Sequence, residues 1–182
     1  MNEGLVPRRY AKALYEFALE KGVQERVYTM MKSLAASFAA NGGLQSTLAN
    51  PYVGVADKKG LLVTAASADK SDIVYADFLK LLAENRRLDM ARDIALAYIG
   101  LYRKANDIHE VTVTSAYPLK PAESARLKAL VERHIGANAT VEFSEAVNPQ
   151  LIGGFTVAVG NERLDASLSN ELKQLRLNLS SK

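Results

Sequence analysis

The sequence predicts a mainly α chain in two parts: an N-terminal antiparallel bundle of six helices, then a small C-terminal α/β (α+β) domain. Three observations predict it. Through residues 1–105 apolar side chains recur three and four apart, the spacing of one helical face. From Ile108 onward β-branched runs and alternation take over, with helical stripes among them. Glycine, asparagine and proline punctuate both parts at short intervals, which implies short connections. The 182 residues suffice for one large domain or two small ones, and the change of pattern divides them into 1–105 and 106–182.

The first helix begins around Pro7, because a helix start tolerates a missing N–H. It carries Ala11, Leu14, Tyr15 and Ala18 at i, i+3, i+4 and i+7 and stops at Gly22. The second runs from about Val23 to Ala40 on Val27, Met30, Met31, Leu34 and Phe38, and Asn41-Gly42-Gly43 ends it. A short third helix, about Leu44 to Ala49, is closed by Asn50-Pro51, since proline pushes the preceding residue out of the helical region. Asp57 is the expected cap of a fourth helix ending near Ala66, and Ser71 that of a fifth. The fifth carries Val74, Phe78, Leu81 and Leu82. A sixth begins near Asp89 and carries Ile94, Ala97, Tyr98 and Leu101.

In the second part Ile108, Val111 and Val113 predict a strand ending at Ser115. Pro121 opens a helix with Leu127, Leu130, Val131 and Ile135 as its stripe, stopped by Gly136. Val141 and Phe143 alternate with polar neighbours in a second strand. Residues 151–159 form the third, and a turn at Gly160–Arg163 leads to a short fourth at Leu164. A last helix from about Ala166 carries Leu168, Leu172, Leu175 and Leu179. A unit of about 75 residues is marginal alone and is expected to lean on a neighbour.

Composition narrows the chemistry. The chain is 48% hydrophobic and 24% charged, ordinary for a globular protein. There is no cysteine, so no disulfide framework, no thiolate metal site and no thiol nucleophile. Two histidines do not complete a common His-rich metal site. The net charge is +3, distributed as +4 over residues 1–106 and −1 over the rest; this is short of the footprint of a nucleic-acid binder. Lys58-Lys59 and Arg86-Arg87 are short basic pairs without an aromatic platform. The longest uncharged run, Ser33–Ala56, is interrupted by a turn, and Arg8, Arg9 and Lys12 interrupt any apolar signal core. No membrane insertion is expected.

No phosphate loop is present: Gly42-Gly43 has no lysine nearby, and Gly153-Gly154 lies in a strand pattern, where glycine permits close backbone approach. His134 sits near a helix C-terminus, a favourable place for a cation, and neither it nor His109 has the partners of a triad. Asp69, Asp72 and Asp77 read as helix caps and solvated charges. No catalytic residue, cofactor or metal ligand is nominated. The strongest functional signal is surface. The first helix has Tyr10, Ala13, Leu14 and Phe17 as a second apolar face, and the fifth has Ile73, Tyr75 and Leu79 beside its stripe. A helix apolar on two sides is deeply buried or also binds a partner, here the amphipathic helix of another chain.

Several phrases, in order along nearly the whole chain, resemble the delta subunit of F-type ATP synthase, a family related to the mitochondrial oligomycin-sensitivity-conferring protein. The segment Arg9-Tyr10-Ala11-Lys12-Ala13-Leu14-Tyr15-Glu16-Phe17-Ala18 is similar to that family's first helix. Asn50-Pro51 followed by Lys58 or Lys59 resembles its mid-bundle turn and next helix. Residues 78–88, Phe78 through Asn85-Arg86-Arg87-Leu88, resemble its fifth-helix signature, except that Arg86 stands where the family more often has glycine. The most specific block is Asn148-Pro149-Gln150-Leu151-Ile152-Gly153-Gly154-Phe155-Thr156-Val157, then Leu164-Asp165-Ala166-Ser167-Leu168 and Leu172. Ala158 departs from it, since the family often has a polar residue there.

The resemblance implies a six-helix domain, a smaller α/β domain and a non-catalytic role. The subunit would join the alpha/beta catalytic head to the b-subunit peripheral stalk, which resists rotor torque during proton-driven ATP synthesis. It implies a peripheral location on the cytoplasmic face of a bacterial cell membrane. It further implies that the N-terminal helix of an alpha subunit lies in a groove of the first and fifth helices, here Tyr10, Ala13, Leu14 and Phe17 with Phe78, Leu81 and Asn85. For the b stalk it points to Gly153, Gly154, Leu168 and Leu172. The alternative function is a helical nucleic-acid-binding regulator, motivated by the positive excess in the first part.

Overall fold

In the computed structural model the described residues are 4–68, 72–135, 140–160, 162–168, 170 and 172. The chain divides into two compact units, Met1–Ala105 and Asn106–Lys182. The first holds helices α1 (Leu5–Glu20), α2 (Gln24–Ala40), α3 (Gly43–Ala49), α4 (Val55–Ala65), α5 (Ile73–Glu84) and α6 (Ala91–Ala105), the last preceded by a 3-10 turn at Leu88–Met90. The second holds β1 (Ile108–Ser115), α7 (Pro121–Ile135), β2 (Thr140–Val147), a 3-10 turn at Pro149–Leu151, β3 (Gly154–Val159) and β4 (Glu162–Ser167). Mostly helical, with one small sheet, the chain is of the α+β class.

In the first unit α6 packs against both α1 and α2. Val27, Met30, Met31, Leu34 and Phe38 of α2 are all buried, as their spacing predicts. Burial of each such side chain is worth about 1.5–3 kcal/mol. The polar tips of two buried tyrosines reach backbone acceptors. Tyr75 Oη donates to Leu62 O at 3.0 Å, and Tyr98 Oη donates to Gln24 O at 3.1 Å. Burial pushes both phenols well above their ordinary value near 10, Tyr15 and Tyr102 adding to the shift at Tyr98. Tyr28 stacks on Tyr102 with centroids 4.2 Å apart, and Tyr15 meets Tyr98 edge-on at 6.0 Å.

Two stripes are rotated from their predicted phase. On α5 the buried residues are Tyr75, Phe78, Leu79 and Leu82, while Val74 is half-buried and Leu81 exposed. On α6 they include Ile94, Ala95, Tyr98, Ile99 and Tyr102, and Ala97 and Leu101 are only half-buried. Both helices carry more than one apolar face, so periodicity fixes the helix and leaves its rotation to the neighbours it packs against.

Three helices end alike. After α1, α4 and α5 the residues Gly22, Ser67 and Arg86 take φ of +68, +51 and +55. In each case the next amide bonds back to the third-last helical carbonyl: Val23 N to Ala18 O at 2.9 Å, Ala68 N to Val63 O at 3.1 Å, Arg87 N to Leu82 O at 2.8 Å. This is the left-handed Schellman closure that favours glycine. The helix starts differ from expectation. Gly54 occupies the cap position of α4, and Asp57 lies in the first turn with its carboxylate close to Gly54. Ser71 lies outside the described residues, and Asp72 stands at the α5 cap position with its carboxylate 2.9 Å from Arg26 Nη2.

The sheet order is β2-β1-β3-β4. β1 pairs parallel with β2, which requires the crossover that α7 supplies, and antiparallel with β3; β3 and β4 form a hairpin. Val111, Val113 and Val157 pack with Val131 of α7 as the core, joined by Leu127, Ile135, Val141, Phe143 and Phe155. The 15-residue α7 opens with Pro121, and the Glu123 carboxylate accepts from Lys120 N at 3.2 Å, half of a capping box. Three details depart from prediction. The third strand begins at Gly154 because Asn148 Oδ1 accepts from Gln150 N at 3.0 Å, turning the chain through Pro149–Leu151 to Ile152 at φ +64. Leu130 is exposed and not part of the α7 core stripe. Ala166 and Ser167 belong to β4, opposite Phe155 and Gly154, so the closing helix starts later than Ala166: Leu168, Asn170 and Leu172 are helical. Leu175 and Leu179 of the expected closing helix, and the predicted stop at Gly136, lie outside the described residues.

Candidate functional site: a groove between the first and fifth helices

α1 presents Tyr10, Ala13, Leu14 and Phe17 at i, i+3, i+4 and i+7, and α5 packs beside it. Between the two lies an apolar hollow of about 260 Å³, lined by those four residues with Asp77, Phe78 and Leu81. Six of the seven groove residues predicted from the sequence therefore line one cavity. Asn85 is not among the lining residues. It stands at the C-cap of α5, where its Nδ2 donates to Leu81 O at 2.8 Å.

The lining divides into floor and rim. Leu14 and Phe78 are 4% and 5% exposed, so they serve the core as well as the groove. Tyr10 and Phe17 are half-buried, and Ala13 and Leu81 are exposed. At one end the Arg87 guanidinium lies over the Tyr10 ring, 5.4 Å from its centroid. At the other the Lys21 ammonium lies 5.7 Å from the Phe17 centroid. A second hollow of about 460 Å³ between α1, α2 and α5 shares Phe17 and Asp77 with the first and continues past Ile73 and Val74. Two readings change here: Asp77, taken as a cap or solvated charge, lines both hollows, and Arg87, taken as part of a basic pair without an aromatic platform, lies over the Tyr10 ring. The available signal was Asp77 at four residues from both Ile73 and Leu81 on one helical row.

In the second unit Gly153 and Leu168 are neighbours: a Cβ at Gly153 would stand 2.5 Å from Leu168 Cδ1. Gly154, at φ +76, brings its backbone against the Ala166 carbonyl of β4. Both glycines thus have a packing reason. Leu168 and Leu172 are exposed, 48% and 56%. A further apolar hollow of about 450 Å³, unforeseen in the sequence, lies between α7 and the β3–β4 hairpin, with Leu127, Leu130, Phe155, Val157 and Leu164 in its walls. Among the described residues no group of three His, Asp or Glu is placed to hold a metal ion, and no helix is long and apolar enough to cross a membrane. What the first unit offers is an elongated apolar trough with polar ends, a shape suited to an amphipathic helix.

Comparison with known proteins gives the family of the chain. The family model described as ATP synthase delta (OSCP) subunit matches residues 6–179. The ATP synthase subunit delta of Parabacteroides distasonis is 37% identical over 179 residues, 98% of each chain. That of Anoxybacillus flavithermus is 33% identical, covering 98% of this chain and 99% of its own. Among solved structures, a chain in the mitochondrial ATP synthase hexamer of Toxoplasma gondii superimposes with a TM-score of 0.69 at 25% identity, covering 98% of this chain and 97% of that one. A match of this extent, from the first helix through the β3–β4 hairpin, means that the chain belongs to the ATP synthase delta (OSCP) subunit family.

Proposed function

We propose that this protein is the non-catalytic connector of an ATP synthase peripheral stalk. It holds the catalytic head through the N-terminal helix of an alpha subunit and reaches the b-subunit stalk through its C-terminal unit, so that the head does not turn with the rotor. The observation that carries the reading is the cavity formed by Tyr10, Ala13, Leu14, Phe17, Phe78 and Leu81. The alpha helix lies there against α1 and α5. In this reading residues 1–105 are an antiparallel six-helix domain that binds the head by itself. Residues 106–182 are the stalk-binding domain, with Gly153, Gly154, Leu168 and Leu172 near the contact. The protein is peripheral, on the cytoplasmic face of the bacterial cell membrane.

Magnitudes are consistent with this role. A standard interface buries about 1,600 Å², and nanomolar affinity corresponds to about −12 kcal/mol. A few well-packed aromatic anchors supply most of that, and Tyr10, Phe17 and Phe78 are of that type. Contact through two units adds avidity. The nucleic-acid alternative is not favoured: the groove lining is apolar, with one carboxylate.

The test is isothermal titration with a synthetic peptide of the alpha subunit's N-terminal segment at low and high salt. One-to-one binding that survives high salt is expected. An affinity that collapses with salt, as phosphate or surface-charge contacts do, overturns the groove reading.

A further inference from the structure

The outer face of α5 is a row of three side chains at i, i+4 and i+8: Ile73, Asp77 and Leu81. Ile73 is 73% exposed and Leu81 43%. Asp77 stands between two exposed apolar residues, and it lines both hollows, the one over Tyr10 to Leu81 and the one running on to Ile73 and Val74. Among the described residues its carboxylate has no hydrogen bond and no ion pair. The Asp72 carboxylate, at the N-cap five residues earlier, differs, since it is engaged with Arg26 at 2.9 Å. The other charges are Arg87 over Tyr10 beside the first hollow, and Lys21 over Phe17 in the second, which the Arg26–Asp72 pair also lines. From Tyr10 to Lys21 the floor helix rises about 17 Å, or three turns.

Among the described residues Asp77 is thus the one charged residue that lines both hollows, at their junction. A helix laid across them covers it. A carboxylate covered by apolar surface loses hydration without return unless a cation meets it. A single polar pair inside an apolar contact also fixes register, because sliding by one turn leaves both charges unpaired. We propose that the two hollows form one continuous docking trough, and that its occupant is an amphipathic helix with a Lys or Arg at the centre of its apolar face, paired with Asp77. Acidic residues of the occupant on either side of that cation meet Lys21 and Arg87. This rests on the proposed function above in taking the occupant to be the alpha subunit's N-terminal segment, and it deepens that reading by assigning Asp77 the choice of register.

The experiment uses the full chain and the same alpha peptide, together with peptides in which each Lys or Arg is changed to Glu in turn. Asp77→Lys is expected to weaken the native peptide by roughly tenfold or more, and one charge-reversed peptide is expected to recover affinity with it. Asp77→Asn is expected to fall between. Circular dichroism should be unchanged, because Asp77 supports no contact of the fold. Native affinity in Asp77→Lys overturns the proposal, and so does a loss that no charge-reversed peptide recovers. The two readings separate at Leu81→Asp. If that variant loses the peptide while Asp77→Lys binds normally, the groove stands and the charge pairing fails. If neither variant changes affinity, both fail.

Discussion

Arg87 and Tyr10 are 77 residues apart in sequence, yet the Arg87 guanidinium lies over the Tyr10 ring at 5.4 Å and its Nη1 donates to Tyr10 Oη at 3.4 Å. Arg87 is placed there by the turn that ends α5, where its own amide donates to Leu82 O at 2.8 Å. The helix closure and one wall of the groove are thus coupled: the backbone turn that stops α5 also sends a cation across to α1.

Leu81→Asp should abolish binding of the alpha peptide, a loss of at least about 2–3 kcal/mol for a charge set against an apolar contact, with helicity retained. Leu81 is 43% exposed, so the fold does not depend on it. Leu14→Asp is not an equivalent test. Leu14 is 4% exposed, and a carboxylate placed there without a partner unfolds the unit. Titration and circular dichroism on the two variants separate these outcomes, and a folded Leu81→Asp variant with native affinity would falsify the groove assignment.

Arg86→Gly should stabilise the first unit. At φ +55 a residue with a Cβ costs about 1–2 kcal/mol relative to a right-handed position, part of which glycine returns as entropy of the unfolded chain. A net gain of about 0.5–1 kcal/mol is expected, raising Tm by roughly 2–6 °C. Arg86→Val, β-branched at the same position, should lower it. Thermal melts of the three proteins check the order.

Gly154→Ala should destabilise the second unit by about 2–5 kcal/mol. The new Cβ meets the Ala166 carbonyl, a backbone group that cannot turn aside, and the position has φ +76. Gly153→Ala meets only the end of the Leu168 side chain and should cost less. Chemical denaturation of both variants tests the difference.

High pH should weaken the first unit through its buried phenols. Burial raises the Tyr75 pKa in the folded state above its ordinary value near 10. The folded state then holds the phenolic proton at a pH where the unfolded chain releases it. This contribution is constant below about pH 10 and is lost as pH rises beyond it. Tyr75→Phe should be less stable at neutral pH, because Leu62 O loses its donor, and its melting temperature should fall less between pH 9 and 11. A fall equal to that of the wild type would remove Tyr75 from the account.

Arg86 shows how far a sequence alone reaches. The resemblance put it where that family more often has glycine, and the structure places it at φ +55, in the left-handed region that favours glycine. The existence of every described helix and strand was likewise legible, because periods of 3.6 and 2 are local properties of the chain. Spacing also showed a second apolar face on α1 and on α5, and the family resemblance named seven groove candidates, six of which line one hollow. Tertiary structure decided which face is which. Val74, Leu81 and Leu82 fit one stripe of α5 as well as Tyr75, Leu79 and Leu82 fit another, and only packing inside the first unit buries Tyr75 and Leu79 and leaves Leu81 at the rim. It also decided that Asn85 turns back on Leu81 O and that Ala166 extends a strand against Phe155. These are non-local facts: a helix's rotation, a cap's partner and a strand's last residue are set by atoms distant in sequence, whose positions no local period encodes.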